Sequence, residues 1–119
     1  TVRKFVELSA KELGWNTKIN PSGIVWEGEG LKEVGKRADN GKVVVKIDSR
    51  YFRPTEVDRL LGDARKAKKE LGWIPRTGLE ELVSEMITHD LNEAKKELIL
   101  KKKGYTTLNS IETLPNIMN

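Results

Sequence analysis

The sequence predicts a small α/β fold with few strands and three main helices. Three observations carry that expectation. Lys42 to Asp48 is a β-branched run that follows the turn signal Asp39-Asn40-Gly41, as a strand does. Apolar residues recur near the helical period along 2–13 and along 79–103. Gly14, Gly72 and Gly104 stand where helical patterns stop.

Taken in order, Val2, Phe5, Val6, Leu8 and Leu13 define the first helix, with Glu7 and Lys11 spaced as an i,i+4 pair and Gly14 as its stop. Asn20-Pro21-Ser22-Gly23 is a turn, and Ile24-Val25-Trp26 begins a short strand over 24–27. Gly28, Gly30 and Gly35 punctuate the stretch after that strand, which reads as loop with at most one helical turn. A second strand covers 43–47, paired with the first or in the same sheet. Pro54 suits the first turn of a short helix through Asp58, because its missing N–H would be unpaired there. Asp63 is placed to cap a helix over 63–71 that Gly72 ends. Leu79, Leu82, Val83, Met86, Ile87, Leu91, Ala94 and Leu98 trace one stripe of a long helix over 79–103. The predicted organisation is a domain over 1–103 and a partly mobile polar tail over 104–119.

Composition bounds the function. The 119 residues contain no Cys, which excludes disulfide frameworks, thiolate metal sites and cysteine nucleophiles. The 22 Lys and Arg against 18 Asp and Glu give a net charge of +4, but the signs alternate along the chain, so no nucleic-acid partner is expected. No apolar run reaches the ~20 residues of a membrane span, and no signal-peptide pattern opens the chain, so a cytoplasmic setting without a membrane partner is expected. Apolar residues make up 37 % and charged residues 34 %, which predicts a thin core, or one that rests partly on something outside the chain. Thr1 is a helix cap with the first turn already under way; that reads as a cut inside a longer protein, with a processed N-terminus as the alternative.

Few residues carry chemistry. The glycines of Gly28 to Gly35 fail the dinucleotide spacing, since the third should fall at Glu33, and two glutamates there would repel a pyrophosphate. His89 has no ligand or nucleophile near it in sequence. Glu80, Glu81 and Glu85 open the long helix and Lys101 to Lys103 close it, where the helix dipole favours each sign. Trp15, Trp26 and Trp73 read as packing anchors. Arg53 and Glu56 stand apart, three residues from each other across the Pro54 turn, where both side chains can face one side. A guanidinium binds a diphosphate through two parallel hydrogen bonds, and a carboxylate accepts the two hydroxyls of a ribose. A local salt bridge between the two is the competing reading.

The stretch Arg50-Tyr51-Phe52-Arg53-Pro54-Thr55-Glu56-Val57-Asp58 is followed by Leu61-Gly62-Asp63, Lys66-Ala67, Leu71-Gly72-Trp73-Ile74-Pro75 and Leu82-Val83-Ser84-Glu85-Met86. Together with Thr1 to Val6 and Trp26-Glu27-Gly28-Glu29-Gly30, this order resembles the GDP-mannose 4,6-dehydratases of the extended short-chain dehydrogenase/reductase family. The resemblance runs to about Gly104-Tyr105; Asp63-Ala64 departs from the usual Asp-Pro. It implies a C-terminal substrate-binding lobe, incomplete at its N-terminus, whose Rossmann half lies upstream. It implies NADP held by that missing half, GDP-mannose as substrate and a homo-oligomeric full-length enzyme. In the family, NADP takes hydride from C4 of the mannose, water leaves across C5–C6, and hydride returns to C6. Arg53 and Glu56 inherit contacts to the GDP moiety; Arg50 is less secure. No catalytic, cofactor or metal residue is expected within the chain: the family's Tyr-x-x-x-Lys pair is absent, because Tyr51 is followed by Thr55 and Tyr105 by Asn109 at that spacing. The chain alone is therefore expected to be inactive. The alternatives are a related NAD(P)-dependent nucleotide-sugar epimerase or dehydratase, and a stand-alone nucleotide or nucleic-acid binding module.

Overall fold

In the computed structural model, residues 1–53 and 60–107 are described. The chain divides into two compact units, Thr1–Ile87 and Thr88–Asn119. The elements are helix α1 (Val2–Glu12), strands β1 (Ile24–Glu27), β2 (Val34–Arg37) and β3 (Val43–Lys46), and helices α2 (Arg65–Leu71) and α3 (Leu79–Lys102). Single 3-10 turns occupy Gly30–Lys32 and Ser49–Tyr51. Among the described residues this is the mixed α/β architecture with three helices that the sequence predicts.

Helix α1 begins at Thr1, whose side chain accepts from the Lys4 N–H at 3.2 Å, and it stops at Leu13 before the left-handed Gly14. Chain reversal comes next, through Thr17 and Asn20. The Thr17 N–H donates to the Asn20 carbonyl, and the Asn20 N–H donates to the Thr17 hydroxyl, both at 3.0 Å. Gly23 then sits with φ +81° directly against α1. A Cβ there would lie 3.0 Å from the carbonyl carbon and Cβ of Ala10, so the close helix–strand contact requires glycine.

The sheet corrects one expectation. The glycine-marked stretch 28–35 contains the predicted single helical turn but ends in a strand, β2, which lies between β1 and β3. Both pairings are antiparallel, so β1 and β3 share a sheet without being neighbours. The reason lies at Gly35. It faces Trp26 on β1 and Val45 on β3, and a Cβ would stand 3.0 Å from the Trp26 ring and 3.0 Å from the Val45 Cβ. Glycine here marks the floor beneath an indole and not a loop. Register shifts by one between Gly35 and Lys36, so Val44 is the extra residue of a β-bulge. The expected Asp39-Asn40-Gly41 turn joins β2 to β3, with the Lys42 N–H on the Asn40 side-chain oxygen at 3.0 Å.

Polar clasps bind α1 to the sheet. The Trp26 Nε1–H donates to Glu7 Oε1 at 3.1 Å, so Glu7 turns to the indole and not to Lys11. Arg3 lies 4.3 Å from the centroid of the Trp26 ring and donates to Glu33 Oε1 at 2.6 Å. Arg37 covers Trp15 at 4.3 Å and grips Asp39 through two hydrogen bonds. Two of the three tryptophans are thus anchors; Trp73 is 55 % exposed and is not.

The core is thin, as the composition predicts: Ala10, Ile24 and Val83 are its buried apolar residues among those described. The predicted stripe of α3 is mostly not covered. Val83 is buried within the first unit, where the Ser84 hydroxyl donates to Glu12 of α1 at 2.9 Å, but Leu79, Leu82, Met86, Leu91 and Leu98 are exposed. Helix α2 starts at Arg65, later than expected, because Ala64 is its cap; the Asp63 carboxylate accepts from the Arg65 N–H at 3.0 Å. In the second unit the Thr107 hydroxyl and the Lys101 ammonium both donate to Glu97, at 3.2 and 2.6 Å. The short helix expected from Pro54 and the tail beyond Thr107 lie outside the described residues.

Candidate functional site

The candidate site is built where the chain leaves β3. Strand β3 ends at Lys46, and after Ile47 comes Asp48, which caps the Ser49–Tyr51 turn. Asp48 Oδ1 accepts from the Arg50 N–H at 2.9 Å, while the Arg50 guanidinium forks onto both carboxylate oxygens through Nε (3.1 and 3.0 Å) and Nη2. The Tyr51 N–H closes the turn on the Asp48 carbonyl at 3.0 Å. The Arg50 guanidinium lies 5.6 Å from the Tyr51 ring centroid. The Arg50 contacts pull the Asp48 carboxyl down to about 2, and the Arg50 pKa rises in return, chiefly through hydrogen bonding to Asp48.

Tyr51 and Phe52 are 71 % and 53 % exposed, so hydrogen bonds and not burial hold this turn. Arg53 comes next, exposed, one residue beyond the extended Phe52. Its predicted companion Glu56 lies outside the described residues. The Arg50 guanidinium is engaged by Asp48.

The same Asp-x-Arg arrangement recurs at Asp63 and Arg65, where Oδ1 takes the backbone N–H at 3.0 Å and the guanidinium donates at 2.6–3.0 Å. Sequence reading missed both clasps. Their signal was the i,i+2 spacing of acid and arginine, overlooked because helix pairing rules look three and four residues apart.

His89 is exposed, and among the described residues no group of three or more His, Asp and Glu side chains could hold a metal ion. Gly28 to Gly35 runs through a 3-10 turn into β2, with no long helix whose N-terminus could receive a pyrophosphate, so these residues do not fit NADP. A cleft of about 600 Å³ in the second unit is lined by Asp90, Glu93 and Glu97 together with Lys96, with Glu93 paired to Lys96 and Glu97 to Lys101. No helix among the described residues is long and apolar enough to cross a membrane.

The first unit is therefore a small mixed α/β unit in which Arg53 is exposed just beyond the Asp48-capped turn. The sequence profile of GDP-mannose 4,6 dehydratase matches residues 1–86. A GDP-mannose 4,6-dehydratase of Vibrio cholerae serotype O1 is 41 % identical over 115 residues, covering 94 % of this chain and 31 % of the relative. The Sinorhizobium fredii enzyme of that name is 49 % identical over 92 residues (77 % of this chain, 24 % of the relative). The Homo sapiens protein is 47 % identical over 91 residues (76 % and 23 %). The chain belongs to the GDP-mannose 4,6-dehydratase family, and it spans between 23 % and 31 % of the length of these relatives.

Proposed function

We propose that this chain is the C-terminal, substrate-binding part of a GDP-mannose 4,6-dehydratase, a lyase of nucleotide-sugar metabolism that converts GDP-mannose to GDP-4-dehydro-6-deoxy-mannose on the way to deoxyhexoses such as fucose. Family membership carries the reading. In it, Arg53 donates charge-assisted hydrogen bonds to the GDP diphosphate, and Glu56 accepts the ribose hydroxyls. NADP and the acid/base residues belong to the rest of a cytoplasmic, homo-oligomeric enzyme, so these 119 residues bind and do not turn over.

Apolar exposure supports a lobe that rests on further polypeptide. Leu60 and Leu61 are 90 % and 87 % exposed, and Leu71, Trp73, Ile74, Leu79, Leu82 and Met86 are exposed in the same unit.

The test is direct: GDP and GDP-mannose are titrated into the purified chain, and turnover is assayed with NADP+ added. Binding of GDP without dehydration is expected. Turnover by the chain alone, or equal preference for single-stranded DNA at moderate salt, would reject the assignment.

A further inference from the structure

We propose that Asp48 is a positioning residue for the nucleotide site: by capping the Ser49–Tyr51 turn and gripping Arg50, it fixes the direction in which the chain leaves β3 and so presents Arg53 to the diphosphate. The inference rests on the reading of Arg53 as a diphosphate ligand.

Burial does not hold this segment, because Arg50, Tyr51, Phe52 and Arg53 are all exposed. Its order comes from hydrogen bonds that converge on one residue. The Asp48 carboxylate takes the Arg50 N–H and the Arg50 guanidinium, and the Asp48 carbonyl takes the Tyr51 N–H. Fixing each backbone residue otherwise costs conformational entropy. An arginine reached through a loose turn would meet that cost on binding, whereas a preordered turn has met it in folding. Arg50 is the brace in this arrangement, since one edge of its guanidinium is occupied by Asp48.

The sign of the effect separates positioning from bulk charge. Removing Asp48 adds one positive charge to a chain already at +4, which by itself would tighten the binding of an anion. Positioning predicts the opposite.

The experiment is a GDP titration monitored through the backbone amide resonances of the chain, for wild type, Asp48→Ala, Asp48→Asn and Asp63→Ala. Asp48→Ala should bind about tenfold more weakly, the loss of roughly one ordered residue. Amide exchange at Arg50 and Tyr51 should quicken while the β1–β3 amides keep their wild-type pattern. Asp48→Asn keeps an oxygen for the Arg50 N–H and should recover binding to within roughly threefold of wild type. Asp63→Ala removes the matching clasp before α2 and should change binding by less than about twofold, as exposed ion pairs do. Equal or tighter GDP binding by Asp48→Ala would overturn the positioning role and leave Arg53's role intact. Absence of any GDP response in the wild type would overturn both.

Discussion

At the scale of single residues, hydrogen bonding at Asp48 sets a measurable pH limit. Its carboxyl lies at about 2 against an ordinary 3.8, held down chiefly by the Arg50 guanidinium. A carboxyl depressed on folding contributes stability that is fully present above its unfolded value and is lost as pH falls through its folded value. The turn is therefore expected to loosen between about pH 4 and pH 2, read as an upfield drift of the Arg50 amide; an amide unchanged to pH 2 would contradict the clasp. Asp39 and Asp63 are also lowered by their arginines, Arg37 and Arg65, so some acid sensitivity is shared. Gly35 makes a second residue-scale case. In Gly35→Ala the new methyl would press on the Trp26 ring and Val45 at 3.0 Å, so overpacking should lower stability by about 1–3 kcal/mol in a denaturant melt. An unchanged midpoint would mean that the indole does not lie over β2.

Elements show which physical signals the sequence carries and which it hides. Helices α1, α2 and α3 were legible because each has apolar periodicity or a glycine stop, and Gly72 does adopt the left-handed conformation at φ +67°. Strand β3 was legible from Val43, Val44 and Val45. Strand β2 was not, because Gly35 and Lys36 lack strand propensity and the segment is defined by what packs over it. The stripe of α3 was legible as an apolar face, most of which is exposed; periodicity marks such a face but not the partner that covers it. The exception is Val83, 1 % exposed. Val83→Ala should cost about 1.5–3 kcal/mol in thermal or denaturant unfolding, whereas the exposed neighbour Leu82→Ala should cost distinctly less. Equal losses would show that residues 79–87 pack differently within the first unit. Of the candidate site, Arg53 was legible as a residue type beside an acid; the Asp48 clasp that orders its approach was not, since it depends on a turn geometry.

For the whole molecule, the thin core and the family match bear on one question. Few of the described residues are buried, large apolar side chains such as Leu60, Leu61 and Leu71 are exposed, and the chain spans 31 % or less of the relatives named above. In the function proposed above, the lobe contributes part of a site, the GDP grip, and the redox cofactor is held elsewhere. That division of labour makes a selective prediction. In the full-length enzyme proposed here, Arg53→Ala should weaken GDP-mannose binding by roughly 1.5–3 kcal/mol, the worth of a charge-assisted hydrogen bond. Glu56→Gln should cost less, because an amide oxygen still accepts one ribose hydroxyl. The deciding measurement is calorimetric titration of GDP-mannose and, separately, of NADP+ into wild type and Arg53→Ala. The account predicts a loss confined to GDP-mannose with NADP+ affinity unchanged; intact GDP-mannose affinity, or an equal loss for NADP+, would contradict it.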